Sequence, residues 1–183
     1  MRNILALTIA AALPLALSGC ETTGEPQGGP VFALVNAAGQ SVGSVRMWET
    51  PGGVTFRIAA SGLPHGIHGL HVHTAGRCDA PGFTTAGPHW NPTGAKHGFN
   101  NPAGPHMGDL PNVVVAANGV LSEAVSLAGA SFASLLDADG AALILHSGPD
   151  DYVTDPSGGS AGARIACGVI SNSYQSGTST GIR

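Results

Sequence analysis

Beyond its first twenty residues, no stretch of this chain keeps apolar residues at a helical period for three turns. Val54, Phe56 and Ile58 instead alternate with Thr55 and Arg57, the period of two that turns one face of a strand toward a core. The 28 glycines and 13 prolines punctuate the sequence too often for long helices. A chain that cannot offer a long amphipathic helix must bury its core between sheets, so the fold class is all-β. Strand-like segments are Val31 to Val35, Val42 to Trp48, Val54 to Ala59, Gly69 to His73, Val113 to Ala116, Val120 to Leu127, Ala141 to His146 and Ile165 to Ile170. Asn118 and Gly119 form a tight-hairpin pair, and Asp139 with Gly140 repeats the device. The pattern predicts an eight-stranded Greek-key β-sandwich or flattened barrel. Residues 74 to 112 and 147 to 163 are left as two loops long enough to be either functional or disordered.

The segments outside that domain read differently. Met1, Arg2 and Asn3 precede an apolar run from Ile4 to Leu17, too short to span a bilayer comfortably, and Leu17, Ser18, Gly19 and Cys20 then resemble a lipobox. Residues 1–19 are expected to be a lipoprotein signal peptide, with Cys20 as the lipidated N-terminus. Residues 20–30, rich in Gly and Pro, form a flexible tether, 31–170 the domain, and 171–183 a Ser-, Thr- and Gly-rich mobile tail. The protein is then exported and periplasmic, held to a bacterial membrane by lipid alone. Glu21 carries no clear inner-membrane retention signal, which leans toward the outer membrane. Setting Cys20 aside leaves Cys78 and Cys167, expected to pair as a disulfide in an oxidising compartment, the alternative being two buried thiols. Seven basic against eleven acidic residues give a formal charge of −4 and no polybasic surface for nucleic acid.

Seven residues, His71, His73, His89, His97, His106, Asp109 and His146, make a ladder of metal-ligand types long enough for two ions. His71 and His73 are two apart on a strand, so both imidazoles share a face, although such a pair is weak on its own. His97, His106 and Asp109 form a second group, with His89 between the two in sequence.

GLHVH at 69–73, AGPHWNP at 86–92, KHG at 96–98, GDLPN at 108–112, LILH at 143–146 and ARIACGVI at 163–170 resemble the copper,zinc superoxide dismutase family. The resemblance covers about residues 31 to 170 and rests on the intervals between ligands from His89 onward. It implies one copper ion on His71, His73, His89 and His146, and one zinc ion on His89, His97, His106 and Asp109, with His89 bridging them. It further implies that Asp150 hydrogen-bonds His71 and His97, Asp151 being its neighbour and rival. His68 is implied to be structural, and Arg164 to orient the substrate superoxide. Two superoxide anions and two protons would give dioxygen and hydrogen peroxide, with copper alternating between Cu(II) and Cu(I) and His89 carrying a proton. The family occurs as homodimers, but bacterial and eukaryotic members dimerise through different faces, so no interface transfers. The family's loop lysines are missing between His146 and Arg164, where Asp150, Asp151 and Asp155 are acidic; Lys96, the chain's only lysine, is the one candidate substitute for steering the anion. The rival reading is a dismutase-like lipoprotein that binds or delivers copper or zinc without turnover.

Overall fold

In a computed structural model of the chain, residues 28–155 and 160–172 are described. The expected signal, Cys20, the tether through Gln27 and the tail beyond Asn172 lie outside them. Nine strands carry the described chain: β1 (Val31–Asn36), β2 (Ser41–Thr50), β3 (Gly53–Ala60), β4 (Gly66–His68), β5 (Leu70–His73), β6 (Val113–Val115), β7 (Leu121–Ala128), β8 (Ala141–His146) and β9 (Arg164–Ile170).

Seven of them form one antiparallel sheet in the order β5-β8-β9-β1-β2-β3-β7, and β4 pairs with β6 in a second. The edge strands β5 and β7 are continuous in the chain with β4 and β6: only Gly69 separates β4 from β5, and the Asn118–Gly119 turn joins β6 to β7. The long sheet therefore curls into a flattened barrel, and the all-β reading holds.

Burial follows the pleat. Along β7, Leu121, Val125 and Leu127 face the core while Ser122, Ser126 and Ala128 are exposed. Within the core they meet Phe56, Ile58, Met47 and Leu143. Truncating the fully buried Phe56 to Ala would cost about 3 to 5 kcal/mol. Strand β8 breaks the alternation, being buried at all six positions. One face, Ala141, Leu143 and Leu145, joins the main core. On the other, Ala142 and Ile144 pack under Phe83 and Ala86 of the 74–112 loop. That loop is therefore a lid of ordered chain over the sheet, carrying one 3-10 turn at Thr84–Ala86.

Besides that 3-10 turn, two elements escaped the sequence reading. The strand expected over Gly69 to His73 is preceded by a separate β4, whose Ile67 stays exposed and so leaves no apolar pattern. A four-residue helix, α1 (Phe132–Leu135), is held by reciprocal bonds between Ser131 and Ser134, with the Phe132 N–H donating to Glu49 Oε1. Cys78 and Cys167 are joined in a disulfide, Cα atoms 5.7 Å apart, which ties the lid loop to β9.

Candidate metal centre

The ladder converges because the lid loop runs back along the free edge of β5. Val72 N–H donates to Gly108 O (2.8 Å), Trp90 N–H to Val72 O (2.7 Å) and Leu110 N–H to Leu70 O (3.2 Å). His71 thereby comes opposite Asp109, and His73 opposite His89. Gly108 is required in this seam, since a Cβ there would lie 2.4 Å from Val72 O. On the other side β5 pairs with β8, and a register shift at Leu145/His146 sets His146 opposite Arg164.

Two groups of ligand atoms result. His71, His73, His89 and His146 each offer an atom within 4.8 Å of the others. His71 Nδ1, His73 Nε2, His89 Nε2 and His146 Nε2 are buried and have no hydrogen-bond partner. A buried polar atom without a partner costs about 1 to 3 kcal/mol, so four brought together form a cradle for a cation. An all-imidazole donor set suits copper. The remaining nitrogens fix the rings: His73 Nδ1 bonds Gly87 O (2.8 Å), His146 Nδ1 bonds Gly162 O (3.0 Å) and His71 Nε2 bonds Asp150 Oδ2 (2.8 Å).

The second group centres on Asp109 Oδ1, which lies 3.0 Å from His89 Nδ1, 3.1 Å from His97 Nδ1 and 3.3 Å from His106 Nδ1. Donors about 2.0 to 2.1 Å from a tetrahedral zinc stand about 3.3 to 3.4 Å apart, so this spacing fits zinc. By distance alone His71 also falls in this group, in place of His106. Its Nε2 is committed to Asp150 and its Nδ1 belongs with the four histidines, whereas His106 Nδ1 is buried without a hydrogen bond, 3.3 Å from Asp109 Oδ1. His106 is therefore the better fourth donor. Asp109 Oδ2 is held by the N–H groups of Gly98 (2.8 Å) and His106 (3.0 Å). His89 presents one nitrogen to each group.

Charge separates the groups as well. Burial, reinforced by neighbouring histidines and Arg164, pushes His73 down to about 2 and His146 to about 4. His89 falls to about 4, chiefly through burial. Burial opposes charge on His97 too, but Asp109 and Asp150 outweigh it and raise this ring to about 10. Both carboxylates resist the same burial and are held well below the usual range by hydrogen bonds from histidines and backbone N–H groups.

Asp150, not Asp151, reaches the ligands: it is buried and bonds His97 Nε2 (3.0 Å) through Oδ1 as well as His71 through Oδ2, while Asp151 is exposed and binds local turn groups. Arg164 donates to Phe83 O (2.6 Å) and Gly87 O (2.8 Å), the latter shared with His73, so the guanidinium stands beside the four-histidine group. His68 touches only backbone, its ring nitrogens 2.8 Å from His146 O and from Pro64 O. Lys96 is paired with Asp155 (3.0 Å). Sequence reasoning missed Asn112, Tyr152 and Ser160, which all bond Asp150. Asn112 stands within the GDLPN motif, but nothing in the sequence marks the other two.

Comparison with known proteins agrees with this geometry. Residues 41–170 match the family Copper/zinc superoxide dismutase (SODC). A superoxide dismutase [Cu-Zn] of Aquifex aeolicus is 45% identical over 143 residues, 75% of this chain and 83% of the relative. The superoxide dismutase [Cu-Zn] of Caulobacter vibrioides is 40% identical over 171 residues, 90% of this chain and 98% of its own. Among solved structures, Cu/Zn superoxide dismutase from Brucella abortus superposes with a TM-score of 0.66 at 33% identity, covering 77% of this chain and 98% of its own.

Proposed function

The chain belongs to the copper/zinc superoxide dismutase family, and from that premise we propose how its own residues divide the work. Its reaction converts two superoxide anions and two protons to dioxygen and hydrogen peroxide, with copper and zinc as cofactors. Copper is held by His71, His73, His89 and His146, and zinc by His89, His97, His106 and Asp109. The observation that carries this division is the set of four buried, unpartnered imidazole nitrogens sharing one ring with the carboxylate-centred group. Bound copper supplies the one-electron chemistry and zinc a fixed charge without redox chemistry.

The protein supplies position and protons. Arg164, fixed by two carbonyls, orients the small anion beside His73 by charge and hydrogen bonding. His89 has its Nδ1 turned to Asp109, so Nε2 is the nitrogen on which this ring would carry a proton once the first superoxide has given up its electron and left as dioxygen, and from which it would pass that proton to the peroxide formed from the second. Asp150 keeps the His71 and His97 rings in register.

Export through the 1–19 signal, lipid attachment at Cys20 and a mature domain over 31–170 belong to the same proposal; the Cys78–Cys167 disulfide, suited to an oxidising compartment, supports export. The protein then intercepts superoxide arising outside the cytoplasm. The exposed Ile67 and Val114, paired across β4 and β6, support assembly as a homodimer, which sedimentation would read. Palmitate labelling abolished by Cys20→Ser tests the anchor; equal labelling of both proteins refutes it. For the chemistry, His146→Ala should abolish superoxide removal while zinc stays bound at one per chain. Undiminished activity in that variant would sink the copper assignment.

A further inference from the structure

Tyr152 is the one described non-glycine residue besides Phe83 with a left-handed backbone, at φ +63°. A bulky side chain rarely adopts that conformation, which persists where the surroundings over-determine it. Here they do so from three segments. The Tyr152 carbonyl accepts from Asn100 N–H (3.0 Å), its own N–H donates to Asp150 Oδ1 (2.9 Å), and its phenol oxygen accepts from Asn112 N–H (2.7 Å). The ring meets Phe99 edge-on with centroids 5.4 Å apart. Gly98 passes so close that a Cβ there would fall 2.0 Å from Tyr152 O.

Asn112 completes the arrangement. Its side-chain amide pairs with both backbone groups of Asp150, donating to the carbonyl and accepting from the N–H, each at 2.9 Å. The Asp150 backbone is thus fixed by Asn112, and its carboxylate by Tyr152 N–H and Ser160 Oγ (3.0 Å). That carboxylate in turn bonds His71 from one group and His97 from the other.

We propose that Tyr152 is a positioning residue, a clamp between the two long loops that holds Asp150 against His71 and His97 and so sets the tightness of the zinc group. The proposal rests on the metal assignment above. Its phenol oxygen is the part that reaches Asn112, so Tyr152→Phe removes that arm of the clamp while keeping the ring on Phe99 and the main-chain bonds to Asp150 and Asn100. The effect belongs near the lower end of the 10- to 100-fold range seen when groups behind metal ligands are lost, because Tyr152 acts one step further out.

The experiment compares wild type and Tyr152→Phe, each loaded with copper and with cobalt(II) or zinc in the zinc group. We expect a changed visible cobalt spectrum and zinc release to a chelating dye about tenfold faster, with the Tm of the metal-free protein lowered only by the few degrees that leaving the half-buried Asn112 N–H unpaired costs; Tyr152→Trp, which also lacks the oxygen, should show the same two changes. Wild-type release and spectrum in Tyr152→Phe would overturn the clamp. So would faster release with a wild-type cobalt spectrum and a metal-free Tm lowered far beyond the cost of one unpaired N–H, the mark of a general packing defect. Failure of the wild type itself to bind one cobalt would overturn the zinc assignment and the clamp with it.

Discussion

His71, His73 and His146 stand on strands β5 and β8, while His97, His106 and Asp109 stand in a loop whose only regular element is one 3-10 turn. The strand-borne rings are fixed largely by the main chain: the ladder sets their spacing, and carbonyls of Gly87 and Gly162 hold two of them. The loop-borne residues are fixed chiefly by one another, around a single carboxylate. A sheet can present a metal site without the metal; a loop assembled on Asp109 is built by charge. The sharpest way to break this contrast is to delete one member of each group. His146→Ala should remove activity and copper yet leave zinc, and Asp109→Ala should remove zinc, strip the Gly98 and His106 N–H groups of their acceptor, and cost about 3 to 5 kcal/mol of stability. Metal analysis and denaturant unfolding read both. If His146→Ala loosened the loop as much as Asp109→Ala does, the two regions would not differ as argued.

The disulfide offers the next largest effect. Its 89-residue separation gives about 4 to 5 kcal/mol on the chain-entropy model. It fastens the lid loop to β9, so the paired Cys78→Ser and Cys167→Ser substitutions should weaken zinc retention more than copper retention. Equal weakening would show that the loop draws no special support from the bond.

Smaller, but more diagnostic, is the proton count. In the metal-stripped protein His97 is held protonated up to about 10 by Asp109 and Asp150, whereas His73 and His146 sit at about 2 and about 4 and are neutral. At pH 8 zinc binding should therefore release about one proton from His97, and copper binding fewer. Titration calorimetry in buffers of different ionisation enthalpy measures this. The signs extend to folding. His97, raised above its unfolded value of 6.5, contributes stability that is complete below that value and lost as pH rises through about 10. His73, His89 and His146, lowered, contribute stability that is present above 6.5 and declines as pH falls toward their folded values, about 4 for His89 and His146 and about 2 for His73, because the unfolded chain takes up protons the folded one refuses.

The same contrast explains what could be read from the sequence. Strands β1, β2, β3, β5, β6, β7, β8 and β9 were legible because alternation and turn pairs are local, and the gathering of the seven ligand-type residues because its spacing recurs in a family. Strand β4, helix α1 and the hold of Tyr152 on Asp150 were not. Three residues around an exposed Ile67 carry no period, α1 is nucleated by a serine pair and Glu49 from a distant strand, and the Tyr152 conformation is imposed by contacts with Asn100 and Asn112. In each case a partner far away in sequence helps set the backbone, Glu49 for α1, and such partners are invisible to a window of ten residues.

Least in magnitude is the effect of Lys96. The sequence left it as the one lysine that could draw in superoxide, but it pairs with Asp155 at 3.0 Å while remaining largely exposed. An exposed pair of this kind contributes under about 1 kcal/mol to stability. Its electrostatic consequence is that the lysine's charge is offset at short range, leaving Arg164 as the cation fixed beside the four-histidine group. Asp155→Asn should free Lys96 and raise the rate of superoxide consumption by less than about threefold at low ionic strength. Pulse radiolysis should see the gain vanish at high salt, where charges more than about 3 Å apart are screened at 1 M. A gain that survives high salt would mean that Asp155 acts on the loop's shape and not on the anion's approach.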